Sequence, residues 1–151
     1  MRATVITDAS FCPKTKAAGW AAWVRVDGIS EPIKRYGAFK EPVASARDAE
    51  MLAAINGVFI AAKVGATQVL VQTDCLSVVH MFEGVTVQKS IKDAFTRAQA
   101  KAGILGLKVS AKHVKGHSND PASRSWVNRW CDEQAGKKMR AYRAQIAGGM
   151  A

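Results

Sequence analysis

The sequence predicts an α/β domain that opens with three antiparallel strands and then alternates helices and strands. Three observations carry this reading. Extended segments at Thr4–Ser10, Gly19–Val26 and Ile29–Phe39 are separated by turn chemistry at Cys12–Lys16 and Asp27-Gly28. Helical periodicity then sets in after Ser45. Two strand-like runs, Thr4-Val5-Ile6-Thr7-Asp8 and Gln68-Val69-Leu70-Val71-Gln72-Thr73-Asp74, each deliver an acid to the chain just beyond apolar residues. A carboxylate on an interior strand costs on the order of several kcal/mol unless a cation or hydrogen bonds offset it. If the two strands are neighbours, like charges converge, and a divalent cation is the usual way to make that tolerable at neutral pH.

Composition sets the outer bounds. A chain of 151 residues is most simply one domain with a real core, and 48% hydrophobic content with interspersed charge fits a soluble globule. The net charge of +10 favours a polyanionic partner such as nucleic acid, a solvated positive surface being the plain alternative. Cys12, Cys75 and Cys131 form no CxxC and leave one unpaired, which argues against a disulfide framework and a cysteine zinc site. Met1-Arg2 leads straight into a strand, and the most apolar stretch, Met51 to Ala62, is broken by Asn56 and Gly57. The expectation is a cytoplasmic protein with no membrane segment.

Ser45 caps a helix over Ala46–Lys63, with Met51, Leu52, Ile55, Val58, Phe59 and Ala62 on one broad face. The sector centred on Glu50 carries only Ala53, Ala54, Gly57 and Ala61, so this side can approach a neighbour closely. The strand ending at Asp74 follows, then a short helix from Cys75 to Phe82 and another over Gln88–Ala102. Leu107–Val114 alternates like a last strand, and Lys115–Asn119 is a loop. Asp120-Pro121 starts a long helix to about Ala144. On it Asn128, Cys131, Asp132, Ala135 and Met139 share a side, with Trp126, Trp130 and Lys137 roughly opposite. One domain is expected over residues 1–146, with a frayed tail at 147–151.

Acids thus recur as strand-borne Asp8, helix-borne Glu50, strand-borne Asp74 and helix-borne Asp132, with His117 in a loop. Together with Thr7-Asp8-Ala9-Ser10, Ala49-Glu50-Met51-Leu52-Ala53-Ala54-Ile55, Gln72-Thr73-Asp74, Val114-Lys115-Gly116-His117 and Asn128-Arg129-Trp130-Cys131-Asp132-Glu133, this resembles the ribonuclease H family over nearly the whole chain. The resemblance implies a central mixed five-stranded sheet, three antiparallel N-terminal strands then two parallel, flanked by helices. It implies that Asp8, Glu50, Asp74 and Asp132 bind two Mg²⁺ or Mn²⁺ ions for in-line phosphodiester hydrolysis. His117 would move a proton or help product and metal leave. Ser10, Lys14, Lys16, Arg47, Lys115, Asn128, Lys137 and Lys138 would bind nucleic acid. Lys137, Lys138, Arg140 and Arg143 form a basic helix end that would contact phosphates, or that is ordinary placement at a helix C-terminus. Trp126 and Trp130 would stack on bases or ribose, or pack under a neighbouring segment.

The catalytic half matches the family better than the recognition half. Members that prefer RNA/DNA hybrids have a Gly-rich first loop and an asparagine-rich stretch before the helical Glu, where this chain has Cys12–Lys16 and Ser45–Ala49. The basic protrusion of many bacterial members is absent or reduced to the helix near Lys89–Lys101, and the span from His117 to Asp132 is longer than usual. The first reading is an endonuclease cutting the RNA strand of RNA/DNA hybrids, as a monomer. The alternatives are a Holliday-junction resolvase or other DNA endonuclease of the same superfamily, dimeric if a resolvase and acting on branched DNA, and a catalytically silent nucleic-acid-binding module.

Overall fold

The strands are β1 (Arg2–Phe11), β2 (Ala18–Val26), β3 (Ile33–Ala38), β4 (Gln68–Thr73) and β5 (Lys108–His113), and the helices are α1 (Ala46–Lys63), α2 (Leu76–Phe82) and α3 (Ser123–Gly149). They are taken from a computed structural model that describes residues 1–83, 107–114 and 123–149, with residues 89, 92, 93 and 96. The sheet order is β3-β2-β1-β4-β5, antiparallel across the first two pairings and parallel across the last two. This is the expected mixed five-stranded sheet, with β1 at its centre.

Local chemistry explains the turns. The β1–β2 loop closes through Cys12 N–H donating to Ala17 O at 2.9 Å and Lys16 N–H donating to Cys12 O at 2.8 Å, with Lys16 in the left-handed region at φ +63°. Gly28 takes φ +84° where Ile29 N–H turns back to Val26 O. β3 begins at Ile33 rather than at Ile29, because Pro32 has no N–H to give to a ladder.

Helix α1 has the expected bounds. Ser45 Oγ accepts from Asp48 N–H at 3.1 Å, which satisfies one of the unpaired amides of the first turn. Its buried face takes in Met51, Ile55, Val58 and Ala62 of the expected stripe and the small-residue sector beside Glu50 as well. Ala53, Ala54, Gly57 and Ala61 are buried, whereas Leu52 and Phe59 are only partly so. The small residues let α1 press closely onto the side chains of β1: a Cβ on Gly57 would overlap Val5 Cγ1 and come within 2.8 Å of Thr7 Cγ2.

Helix α3 covers the other face of β1 and β2, packing Val127, Cys131 and Ala135 on Ile6, Ala21 and Trp23. Here too the approach is close, since a Cβ on Gly19 would run into the Ala135 carbonyl and sit 2.6 Å from Met139 N. The helix continues to Gly149, past the expected Ala144 and into the stretch expected to fray. Tyr142 Oη donates to Lys40 O at 3.2 Å, and Ile146 packs on Cys12 and Ala17, so its last turns have partners. The helix expected over Gln88–Ala102 lies largely outside the described residues, of which 89, 92, 93 and 96 are helical. Among the described residues, no helix is long and apolar enough to cross a membrane.

Gly57→Ala is expected to destabilise the protein by about 1–3 kcal/mol in urea unfolding, the usual cost of forcing a methyl into a filled core. Gly148→Ala, where nothing lies within 4 Å of the added methyl, is the control and is expected to cost nothing. Equal stability of Gly57→Ala and wild type would contradict the close α1–β1 packing.

Candidate active site

The chain brings three acids to the C-terminal ends of β1 and β4 from three different elements. Asp8 follows Ile6 on the α3 side of β1, since alternate residues of a strand share a face. Parallel pairing sets Ile6 opposite Gln72, so two residues further on Asp8 and Asp74 come level. Thr73 Oγ1 accepts from Cys75 N–H at 3.0 Å and turns the chain out of the sheet just at Asp74. Glu50, the fifth residue of α1, reaches the same point because that helix sits so close to β1.

One amide ties two of these acids together. Ala9 N–H donates to Asp8 Oδ1 at 2.9 Å and to Glu50 Oε1 at 3.2 Å. One carboxylate oxygen from each of Asp8, Glu50 and Asp74 lies within 4.8 Å of the other two, Asp8 and Glu50 half-buried and Asp74 exposed. Glu50 Oε2 is buried with no hydrogen-bond partner among the described residues.

Burial is the main force pushing Asp8 above the usual carboxylate range; the charges of Asp74 and Asp132 push the same way, against hydrogen bonds from Glu50 and the Ala9 amide. Glu50 is pushed up further, by burial first and then by Asp8. Behind them Cys131 donates its thiol to Ile6 O at 3.7 Å, and burial, reinforced by Asp8, Glu50 and Asp132, holds that thiol protonated. Hard oxygen donors of one sign, with one oxygen unpartnered, fit a divalent cation of the Mg²⁺ or Mn²⁺ class.

Asp132 projects exposed from α3, near enough to raise Asp8 but outside the group of three. Ser10 follows Asp8 on the same face of β1, and Asn128 lies one turn before Asp132, both partly buried. Lys14 and Lys16 are exposed in the β1–β2 loop and Arg47 in the first turn of α1. Lys137 and Lys138 leave α3 on other sides than Asp132 does: Lys137 Nζ lies 3.7 Å from Glu133, and Lys138 Nζ lies 5.4 Å from the Tyr36 ring centroid. Helical spacing instead puts Arg140 and Arg143, eight and eleven residues on, along the Asp132 flank. Lys115 and His117 lie outside the described residues. Trp130 packs edge-on against Trp23 and Tyr36, and the half-exposed Trp126 packs edge-on against Trp23, so both serve as packing groups on β2 and β3.

Two features carried no signal in the sequence. The Ala9 amide is backbone, and no residue type announces it. Asp48 is buried in the first turn of α1 with Oδ1 unpartnered among the described residues, where an acid reads as ordinary dipole compensation.

Compared with known proteins, the chain matches the RNase H family model over residues 1–140. The chain belongs to the RNase H family. Among solved structures, this RNase H chain is similar to the N-terminal RNase H domain of rv2228c from Mycobacterium tuberculosis, determined as a fusion protein with maltose binding protein (25% identity, 97% of this chain and 98% of that chain, TM-score 0.71). RNase H1 from the halophilic archaeon Halobacterium salinarum NRC-1 shares the fold at 18% identity, over 93% of this chain and 99% of that one, with TM-score 0.66. LC11-RNase H1, isolated from compost by a metagenomic approach and solved in complex with RNA/DNA hybrid, does so at 13% identity, over 93% and 98%, with TM-score 0.68. No curated protein sequence matches it.

The raised carboxylates set a pH dependence. Between the ordinary and the raised pKa the folded state holds more protons than the unfolded one, so their contribution falls as pH rises. In chelator, Asp8→Asn is expected to melt above wild type at pH 8, by about 2–4 °C for each kcal/mol of relieved repulsion, and the gap is expected to shrink at pH 5. Added Mg²⁺ should reverse the order at pH 8. Scanning calorimetry that finds wild type more stable than Asp8→Asn in chelator at pH 8 would contradict the repulsive cluster.

Proposed function

We propose that this ribonuclease H-like nuclease hydrolyses the RNA strand of RNA/DNA hybrids with two Mg²⁺ or Mn²⁺ ions held by Asp8, Glu50, Asp74 and Asp132. The observation that carries the reading is the convergence of carboxylates from β1, α1 and the end of β4 within 4.8 Å, with Glu50 Oε2 left unpartnered. Divalent cations at such a site lower the pKa of a water and stabilise charge on the attacking and leaving oxygens.

The residues of the chain account for the rest. The Ala9 amide fixes Asp8 and Glu50 toward one point, so the ligands are oriented before any cation arrives. Asp74 is the exposed member, on the side a scissile phosphate can reach. Asp132 adds a fourth carboxylate from the opposite helix, and His117 would take up or deliver a proton. The exposed Lys14, Lys16 and Arg47 lie on the loop and helix turn at this end of the sheet and suit phosphate contacts. Ser10, two residues beyond Asp8, would meet a ribose hydroxyl, the group that separates RNA from DNA. RNA/DNA hybrid is what the structurally similar LC11-RNase H1 is bound to, which supports the same partner for this chain.

The test is cleavage of end-labelled RNA/DNA hybrid, duplex RNA, duplex DNA and a four-way junction with Mg²⁺ or Mn²⁺. Cutting confined to the RNA strand of the hybrid is expected, with Asp74→Asn slower by about 100-fold or more at unchanged circular dichroism. Cutting of the junction alone would assign the site to a resolvase activity, and an Asp74→Asn protein as active as wild type would contradict the metal mechanism.

A further inference from the structure

Beyond the acids, the β1–β2 loop and the last turns of α3 enclose a cavity of about 560 Å³, lined by Lys14, Thr15, Arg140, Arg143 and Ile146 together with two alanines. Its lining holds three cations and no carboxylate. Among the described residues, none of the three cations makes an ion pair with an acid. The floor is apolar, formed by Ile146, the alanine methyls and the stems of the long side chains.

The walls are held in place. The loop is closed by its two internal backbone bonds, and Val43 N–H donates to Lys16 O at 2.9 Å. Opposite, Ile146 and Tyr142 pack on the Cys12, Ala17 and Met139 cluster. Lys14 and the two arginines therefore converge at little further cost in order.

The cavity continues the catalytic flank. Asp132, Gly136, Arg140 and Arg143 follow one another along one side of α3, with the arginines about 12 and about 17 Å beyond Asp132 at ~1.5 Å rise per residue. Between them Gly136 has no side chain, and the Arg140 guanidinium lies over that gap, 3.0 Å from where a Cβ would sit. The span from Asp132 is roughly four to five base steps at ~3.4 Å each. An occupant with negative charge at its rim, an apolar face toward the floor and continuity with the scissile phosphate is a sugar-phosphate chain.

We infer that this cavity is a subsite for the sugar-phosphate backbone of one substrate strand, gripping it several nucleotides from the point of cleavage. It rests on the nucleic-acid reading above and adds a place where the strand is held. Arg140 and Arg143, rather than Lys137 and Lys138 of the same helix, are its phosphate contacts.

The experiment is fluorescence anisotropy of a labelled 18-base-pair RNA/DNA hybrid in chelator, at several KCl concentrations. R140Q/R143Q is expected to raise Kd about tenfold at ~0.1 M KCl and to flatten the log Kd against log salt slope by at least about 1. Lys14→Gln, from the facing loop, should shift both in the same direction by less, and R140K/R143K should restore the slope. Removing the same charge at the far end of the sheet, with R2Q/K108Q, should leave both within twofold of wild type. Equal weakening by R2Q/K108Q and R140Q/R143Q would reduce the effect to net charge and overturn the inference, as would unchanged binding by R140Q/R143Q. Inorganic phosphate that displaces hybrid far better than chloride at matched ionic strength would mark a free-anion site and overturn it too. A wild type that binds no hybrid overturns it outright. Binding without metal-dependent cutting would leave it standing while removing the proposed activity.

Discussion

Two half-buried carboxylates share one backbone N–H at the centre of this fold, and most of the surrounding structure is needed to keep them there. Asp8 and Glu50 both accept from Ala9, and a third acid, Asp74, approaches within the same few ångströms. Left alone, such groups move apart or take up protons. Here the backbone prevents the first and burial enforces the second, which is why both carboxyls titrate high. Such a cluster favours an added positive charge, and Glu50 Oε2, without a hydrogen-bond partner among the described residues, has a lone pair to offer it.

Close packing on both faces of β1 sustains that arrangement. Gly57 lets α1 press onto Val5 and Thr7, and without that approach Glu50 could not reach the Ala9 amide. Gly19 does the same for α3, whose backbone passes over β2 and sets Asp132 beside Asp8. Parallel pairing of β1 with β4 contributes Asp74 by register alone. The helices therefore act as positioning devices, and their small residues matter as much to the chemistry as the acids themselves.

What was legible in the sequence follows the same division. Asp8 and Asp74 stood out because an acid at the end of an apolar strand is costly, and Glu50 because small residues surround it on a capped helix. The fold order followed from turns and periodicity, and the Ser45 cap fixed the start of α1. Less legible was the direction of individual cations on α3. Lys137, Lys138, Arg140 and Arg143 read as one basic run, yet they leave the helix in different directions, Lys137 beside Glu133, Lys138 over Tyr36, and Arg140 and Arg143 along the Asp132 flank. Of the two roles open to the tryptophans, the packing one is visible, Trp130 and Trp126 setting α3 on β2 and β3 with Trp126 still half-exposed. Such distinctions depend on which neighbour a helix meets, and helical spacing alone does not contain that. The length of α3 was likewise hidden, because Tyr142 and Ile146 find partners in loops far away in the chain.

Direct Mn²⁺ binding tests whether the carboxylate cluster is a cation site without reference to any substrate. Free Mn²⁺ counted by electron paramagnetic resonance during a titration should show saturable binding to wild type at neutral pH. Glu50→Gln, which keeps the shape and removes one charge, should weaken that binding about tenfold or more. Equal binding by Glu50→Gln, or no saturable binding to wild type, would contradict the account.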